Sequence, residues 1–121
     1  MALKVYEYKN CSTCQKAKKW LENNDIAYTA LPIVEQPPSL QELKTMLSHI
    51  RERGGDLKHL FNTSGEQYRM LKVSDKLKAG MSESEALKLL SQNGKLIKRP
   101  FVLAKNKGTV GFKEEVWSDL F

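Results

Sequence analysis

The sequence predicts an α/β domain in which a strand, a helix and a strand precede a helical insertion, and two strands and a helix follow it. Three observations favour this order. Short runs rich in β-branched and aromatic residues lie near both ends of the chain, leucines recur at helical spacing through its middle, and Asn106-Lys107-Gly108 marks a late hairpin. A chain of 121 residues with 40% hydrophobic side chains can enclose one core without disulfides or metal, so we expect a single domain over residues 1–121.

The first predicted unit runs to about residue 37. Leu3–Tyr8 has the residue types of a buried strand. Trp20 and Leu21 belong to a helical pattern that follows this strand and ends at the turn-forming Asn23-Asn24-Asp25. Ile26–Pro32 is predicted as the second strand, which its terminal proline closes.

The middle of the chain, about residues 38–94, is predicted to be helical. Ser39-Leu40-Gln41-Glu42 has the pattern of a capping box, and a helix to about Arg53 should follow it. Short helical patterns continue between residues 57 and 77. Ser82-Glu83-Ser84-Glu85 has the pattern of a second capping box, and its helix should end at Asn93-Gly94.

The last predicted unit is a hairpin followed by a helix. Phe101–Lys105 and Thr109–Phe112 are the two strands, and Lys113–Phe121 carries apolar residues at helical spacing. The two outer parts of the chain, about residues 1–37 and 95–121, would then form one mixed sheet with its flanking helices. This order, with a parallel pair of strands first and a closing hairpin last, is that of the thioredoxin-like fold.

Cys11 and Cys14 lie at the predicted junction between the first strand and the first helix. Free amides at the start of a helix stabilise a thiolate, so we expect Cys11 to be a nucleophile and Cys14 to resolve its adducts. The pair would form a redox-active disulfide. Two alternatives stay open: zinc binding, for which His49 and His59 lack a common ligand spacing, and a pair of buried, unreactive side chains.

Arg99 and Pro100 come directly before the predicted hairpin. In a thioredoxin-like domain a proline at this position is commonly cis and lies beside the active thiol, so we expect Arg99 to lie near Cys11. Its guanidinium could then bind an oxyanion or a carboxylate with two parallel hydrogen bonds. The alternative is a trans proline that only begins a strand, with Arg99 in solvent.

Composition excludes several classes of protein. No apolar run is long enough to cross a membrane, and the start of the chain lacks the pattern of a secretory leader, so we expect a cytoplasmic protein with reduced thiols. The net charge of +6 is a mild basic bias without a nucleic-acid motif, and direct binding to nucleic acid is not expected.

The chain resembles the glutaredoxin-coupled arsenate reductases, a family whose relatives include the transcription regulator Spx. The residues that carry this resemblance are spread along the chain: Tyr6, Tyr8, residues 10–17 (Asn-Cys-Ser-Thr-Cys-Gln-Lys-Ala), Trp20-Leu21-Glu22, residues 57–71, Arg99-Pro100 and Gly111-Phe112. The resemblance implies a thioredoxin-like fold with an inserted helical subdomain and an arsenate reductase-like, thiol-dependent oxidoreductase. It also implies that no metal or organic cofactor is needed, since a thiol reductant such as glutathione, glutaredoxin or thioredoxin serves as co-substrate.

The resemblance further implies a set of substrate-binding residues around Cys11: Asn10, Ser12, Thr13, Lys58, Arg99, Pro100 and Lys113. Lys58 and Lys113 stand where this family has two further arginines, and a lysine keeps the charge but loses the planar fork. Lys9 and Lys16 flank Cys11 in sequence. These cations either gather around Cys11 as an anion site or scatter over the surface.

Two functions follow from the resemblance. In the first, a monomeric enzyme reduces an oxidised substrate or an oxyanion, for example arsenate. In the second, a Spx-like regulator binds the α subunit of RNA polymerase, and a switch at Cys11-Ser12-Thr13-Cys14 controls the binding. Gln15 departs from the second pattern, because Spx relatives have a basic residue at that position.

Overall fold

The sheet at the centre of the fold joins the two ends of the chain. The structure is a computed structural model that describes residues 3–121. Its strands are β1 (Leu3–Glu7), β2 (Tyr28–Pro32), β3 (Phe101–Leu103) and β4 (Gly108–Val110), in the order β2-β1-β3-β4. β1 pairs in parallel with β2 and antiparallel with β3, and β3 pairs antiparallel with β4. The predicted thioredoxin-like α/β fold is thereby confirmed.

The helices follow the predicted order. Those of residues 3–121 are α1 (Ser12–Asn23), α2 (Leu40–Glu52), α3 (Glu66–Met70), α4 (Val73–Lys78), α5 (Glu83–Ser91) and α6 (Glu114–Leu120), with 3-10 turns at Leu57–Leu60 and Gly94–Leu96. The helices α2 to α5 lie between β2 and β3, as the insertion requires. The boundaries of this insertion at about residues 38 and 94 stay a prediction. Within the same range, no helix is long and apolar enough to span a bilayer.

Several strand boundaries differ from the predicted ones. Ile26 was expected to begin the second strand, but its N–H donates to Leu21 O at 2.9 Å and closes the end of α1. In the hairpin, Ala104 N–H donates to Lys107 O at 2.8 Å, so the turn begins earlier than expected. Gly111 has a φ of +74°, which no strand residue adopts, and β4 ends before it.

Capping explains where two of the insertion's helices begin. At α2 the predicted box is complete, because Ser39 Oγ accepts from Glu42 N–H and the Glu42 carboxylate accepts from Ser39 N–H. At α5 only half of it forms: Ser82 Oγ accepts from Glu85 N–H, but the Glu85 carboxylate accepts from the Ser82 hydroxyl instead of the backbone. Both helix starts are therefore satisfied, by two different arrangements.

Both faces of the sheet are covered, because successive residues of β1 point to opposite sides. Val5 packs with α1 and α6, whereas Tyr6 packs with the insertion. The buried side chains beside Val5 are Leu3, Ala17, Leu21, Val102 and Trp117. The larger cluster around Tyr6 includes Leu43, Met46, Leu60, Phe61, Leu87, Leu90, Ile97 and Phe101.

The segment that leads to Arg99 is held against the insertion by backbone contacts. Lys98 N–H donates to Leu60 O at 2.8 Å. Gly94 is buried against Ile33, and a Cβ at this position would lie 1.9 Å from Ile33 O. This close approach requires glycine, and it fixes the path of the chain toward Arg99.

Candidate active site

Cys11 occupies the cap position at the start of α1. Its backbone is extended (φ −96°, ψ 112°), its N–H donates to Tyr8 O at 3.0 Å, and its Sγ accepts from Cys14 N–H at 3.3 Å. The sulfur thus takes the place that a serine or aspartate oxygen usually has at a helix start. A helix amide and the positive end of the helix dipole therefore face this sulfur.

Cys14 lies in the first turn of α1 and is fully buried. Burial and, to a lesser extent, the neighbouring Cys11 raise the pKa of its thiol to about 12. Near neutral pH the Cys14 thiol therefore keeps its proton and can donate a hydrogen bond to the Cys11 sulfur. The two cysteines are free thiols in this structure.

The half-buried Cys11 has a pKa below its ordinary value. Burial by itself raises this pKa, but two groups outweigh it. Cys14 donates hydrogen bonds from its thiol and its backbone N–H, and Arg99 contributes its positive charge and a hydrogen bond. Because each of these favours the thiolate, Cys11 is the more nucleophilic of the two cysteines.

Arg99 reaches this site from the other end of the chain. The Arg99–Pro100 peptide bond is cis, as the sequence predicts, and Pro100 O accepts from Gly111 N–H at 2.8 Å. The guanidinium carbon of Arg99 lies 4.9 Å from the centre of the Tyr8 ring. This Tyr8 contact has no local sequence signal, since the two residues belong to opposite ends of the chain.

A polar pocket of about 190 Å³ opens beside Arg99 and Tyr8. The insertion supplies most of its other walls, with the side chains of Asn62, Glu66, Gln67 and Lys95. These residues have no recognisable spacing in the sequence, so only the fold could place them here. The pocket therefore offers polar groups of both charge signs beside Arg99.

Two of the lysines expected near Cys11 line other pockets. Lys58 lines a second pocket together with Lys98, and Lys113 lines a third pocket together with Thr109. Arg99 is the cation that lowers the pKa of Cys11. Cys14 and Arg99 therefore act on Cys11, and a role of Lys58 and Lys113 in binding substrate stays a prediction.

The residues next to Cys11 in sequence are mostly solvent-facing. Lys9, Asn10 and Ser12 are exposed, and so is Lys16, whereas Thr13 is half-buried in the first turn of α1. Pro100 is buried. Within residues 3–121, no group of three or more histidine, cysteine or acidic side chains is arranged to hold a metal ion.

The architecture agrees with comparisons to known proteins. A model of the ArsC family matches residues 6–120. The chain belongs to the ArsC family. The uncharacterized protein YusI of Bacillus subtilis is 48% identical over 119 residues, which is 98% of each chain. A crystal structure of an ArsC family related protein from Bacteroides fragilis superposes with a TM-score of 0.90 at 46% identity, over 100% of this chain and 98% of that one.

Another relative of this chain is a transcription regulator. Global transcriptional regulator Spx 2 of Bacillus anthracis is 30% identical over 111 residues, covering 92% of this chain and 80% of the regulator. Family membership therefore establishes the fold, and the chemistry must be argued from the site.

Proposed function

We propose that this protein is a thiol-disulfide oxidoreductase of the cytoplasm, with Cys11 as nucleophile, Cys14 as resolving thiol and Arg99 as anion clamp. One observation carries the proposal: the Cys11 sulfur accepts the Cys14 N–H at the start of α1 while Arg99 adds its charge. A thiolate stabilised in this way, with a protonated thiol in the same turn, is suited to exchange with a disulfide.

The reaction proceeds in two exchanges. The Cys11 thiolate attacks one sulfur of a substrate disulfide, so a Cys11–substrate disulfide forms and the other half leaves as a thiolate. The leaving thiolate takes up a proton. Cys14 then loses its proton to solvent and attacks the Cys11 sulfur, which forms the Cys11–Cys14 disulfide and releases the second half as a thiolate. Two electrons pass to the substrate, and a thioredoxin-type donor or glutathione with glutaredoxin returns them.

A disulfide suits this site better than a tetrahedral oxyanion does. Arg99 is the cation beside Cys11, whereas Lys58 and Lys113 line other pockets. A single guanidinium can hold one carboxylate or one edge of an oxyanion, but it cannot surround arsenate with charge. We therefore expect slow or undetectable arsenate reduction next to disulfide reduction.

The test is turnover with a regenerating donor. Reduced protein is assayed with a small disulfide and, separately, with arsenate, using thioredoxin or glutathione with glutaredoxin as donor. We expect disulfide reduction that Cys11→Ser abolishes, while Ser84→Ala, a change at an exposed position of α5, leaves it in place. Absence of turnover with every donor, or full activity of Cys11→Ser, would refute the proposed oxidoreductase activity.

A second candidate is a redox-dependent transcription regulator, which the 30% identity to Spx 2 favours. In this case the Cys11–Cys14 disulfide would change a surface that docks on the α subunit of RNA polymerase. Pull-down of that subunit with the reduced and the oxidised protein tests the idea. Binding that depends on the oxidation state supports it, and no binding in either state ends it.

A further inference from the structure

Arg99 has a long side chain and needs a partner that keeps it near Cys11. The ion pairs within residues 3–121 join Lys4 to Glu42, Lys18 to Glu7, and Arg51 to Asp56 and Glu83. Arg99 is in none of them. Its guanidinium instead lies over the Tyr8 ring, with 4.9 Å between the guanidinium carbon and the ring centre. This distance is within the range of a favourable cation–π contact.

We propose that Tyr8 is a positioning residue, and that the face of its ring holds the Arg99 guanidinium beside the Cys11 sulfur. The proposal rests on the thiol chemistry proposed above. In this role the Tyr8 ring does not take part in the exchange itself. It acts through Arg99.

Tyr8 is well placed for this role because its backbone and ring serve the same site. Its carbonyl accepts the Cys11 N–H at 3.0 Å, which fixes Tyr8 and Cys11 as the two ends of one tight turn. Its half-buried ring packs against the larger core cluster, directly after β1 ends at Glu7. The hydrogen bond of its carbonyl and the packing of its ring together hold Tyr8 in place, so the ring can keep the guanidinium at a constant position relative to the sulfur.

A guanidinium over an aromatic ring keeps its N–H donors free for other partners. When the flat face of a guanidinium is covered, its donors still point outward in the plane. Arg99 can then donate to the Cys11 sulfur and also present donors to the pocket that contains Asn62 and Lys95. A lysine ammonium would keep the charge but lacks both the flat face and the fork.

The groups that act on Cys11 come from three places. Cys14 reaches it from α1, Arg99 from the segment before β3, and the Tyr8 carbonyl from the end of β1. Lys9 and Lys16 are exposed. Removing the Tyr8 ring should therefore act on Cys11 by loosening Arg99, and removing the Tyr8 hydroxyl should not act on it.

The experiment measures the pH dependence of Cys11 alkylation by iodoacetamide, with the Cys11 peptide quantified by mass spectrometry. The proteins are the wild type, Tyr8→Phe, Tyr8→Leu, Arg99→Gln and the double variant Tyr8→Leu with Arg99→Gln. We expect Tyr8→Phe to match the wild type. Tyr8→Leu should move the profile to higher pH and slow alkylation near about pH 6 by about threefold. The reason is that Arg99 loses its cation–π contact and holds the Cys11 thiolate less well. In the double variant, Tyr8→Leu should add no further change.

Each outcome decides between the two proposals. If the wild type shows an ordinary thiol profile, the proposed function fails. Suppose that the wild-type profile lies at a lower pH than that of an ordinary thiol, and that Arg99→Gln moves it while Tyr8→Leu does not. The proposed function then stands and the role of Tyr8 is refuted. The role of Tyr8 is also refuted if Tyr8→Phe moves the profile as far as Tyr8→Leu does. It is refuted as well if Tyr8→Leu moves the profile of the Arg99→Gln protein as far as it moves the profile of the wild type. Circular dichroism melts of every variant identify a change that comes from unfolding.

Discussion

Replacing Arg99 by glutamine should make Cys11 a weaker nucleophile. Arg99 lowers the pKa of Cys11 by its charge and by a hydrogen bond, so its neutral substitute returns that pKa toward the ordinary value. Two unit charges about 4 Å apart attract by roughly 4 kcal/mol in a medium of effective dielectric constant near 20. Because Cys11 is half-buried, solvent screens this attraction to about 1 kcal/mol.

A loss of about 1 kcal/mol corresponds to roughly a fivefold fall in the ratio of thiolate to thiol at a fixed pH below the pKa. The assay is an ultraviolet titration of thiolate absorbance. Cys14 titrates near 12, so the first step of the curve belongs to Cys11. Lys58→Gln is the matched control, since it removes a cation that lines another pocket and should leave the curve unchanged. Equal curves for Arg99→Gln and the wild type, or an equal shift in Lys58→Gln, would refute the reasoning.

Two further predictions concern stability. The raised pKa of Cys14 means that the unfolded chain loses this proton first, so stability should fall by up to about 1.4 kcal/mol per pH unit from about pH 9 to 10, below the range in which Tyr6, whose pKa is also raised, adds the same effect. Cys14→Ala should remove the slope over this range in denaturant titrations, and an unchanged slope would contradict the assignment. Gly94→Ala should lower the free energy of unfolding by about 2 kcal/mol or more, because its Cβ would lie 1.9 Å from Ile33 O. Ser84→Ala, at an exposed position, is the control. Equal melting temperatures of the two variants would show that the close contact is absent.

The sequence predicts the cysteine half of the site well, because its signals are local. A strand, two cysteines three positions apart and a helical pattern place Cys11 at the start of α1, which the structure confirms. The half that depends on tertiary structure is harder to predict. No local pattern brings the Tyr8 ring under Arg99, or Asn62 and Glu66 to the pocket beside it.

Arg99 lowers the pKa of Cys11 although the two residues are far apart in sequence. The buried positions of α1 are Cys14, Ala17 and Leu21, and Lys16 lies off that face. Lys9 is likewise exposed, although it lies closer to Cys11 in sequence than Arg99 does. Side-chain direction is set by the helix period and by packing, and the distance along the chain does not report it.

The most direct test of the central claim is to trap the first exchange. Reduced wild-type protein and the variants Cys14→Ser and Cys11→Ser are treated with a small disulfide, and the products are mapped by mass spectrometry. The account predicts an internal Cys11–Cys14 disulfide in the wild type and a mixed disulfide on Cys11 in the variant. A mixed disulfide on Cys14 when Cys11 is replaced by serine, formed as fast as the wild-type reaction, would contradict it.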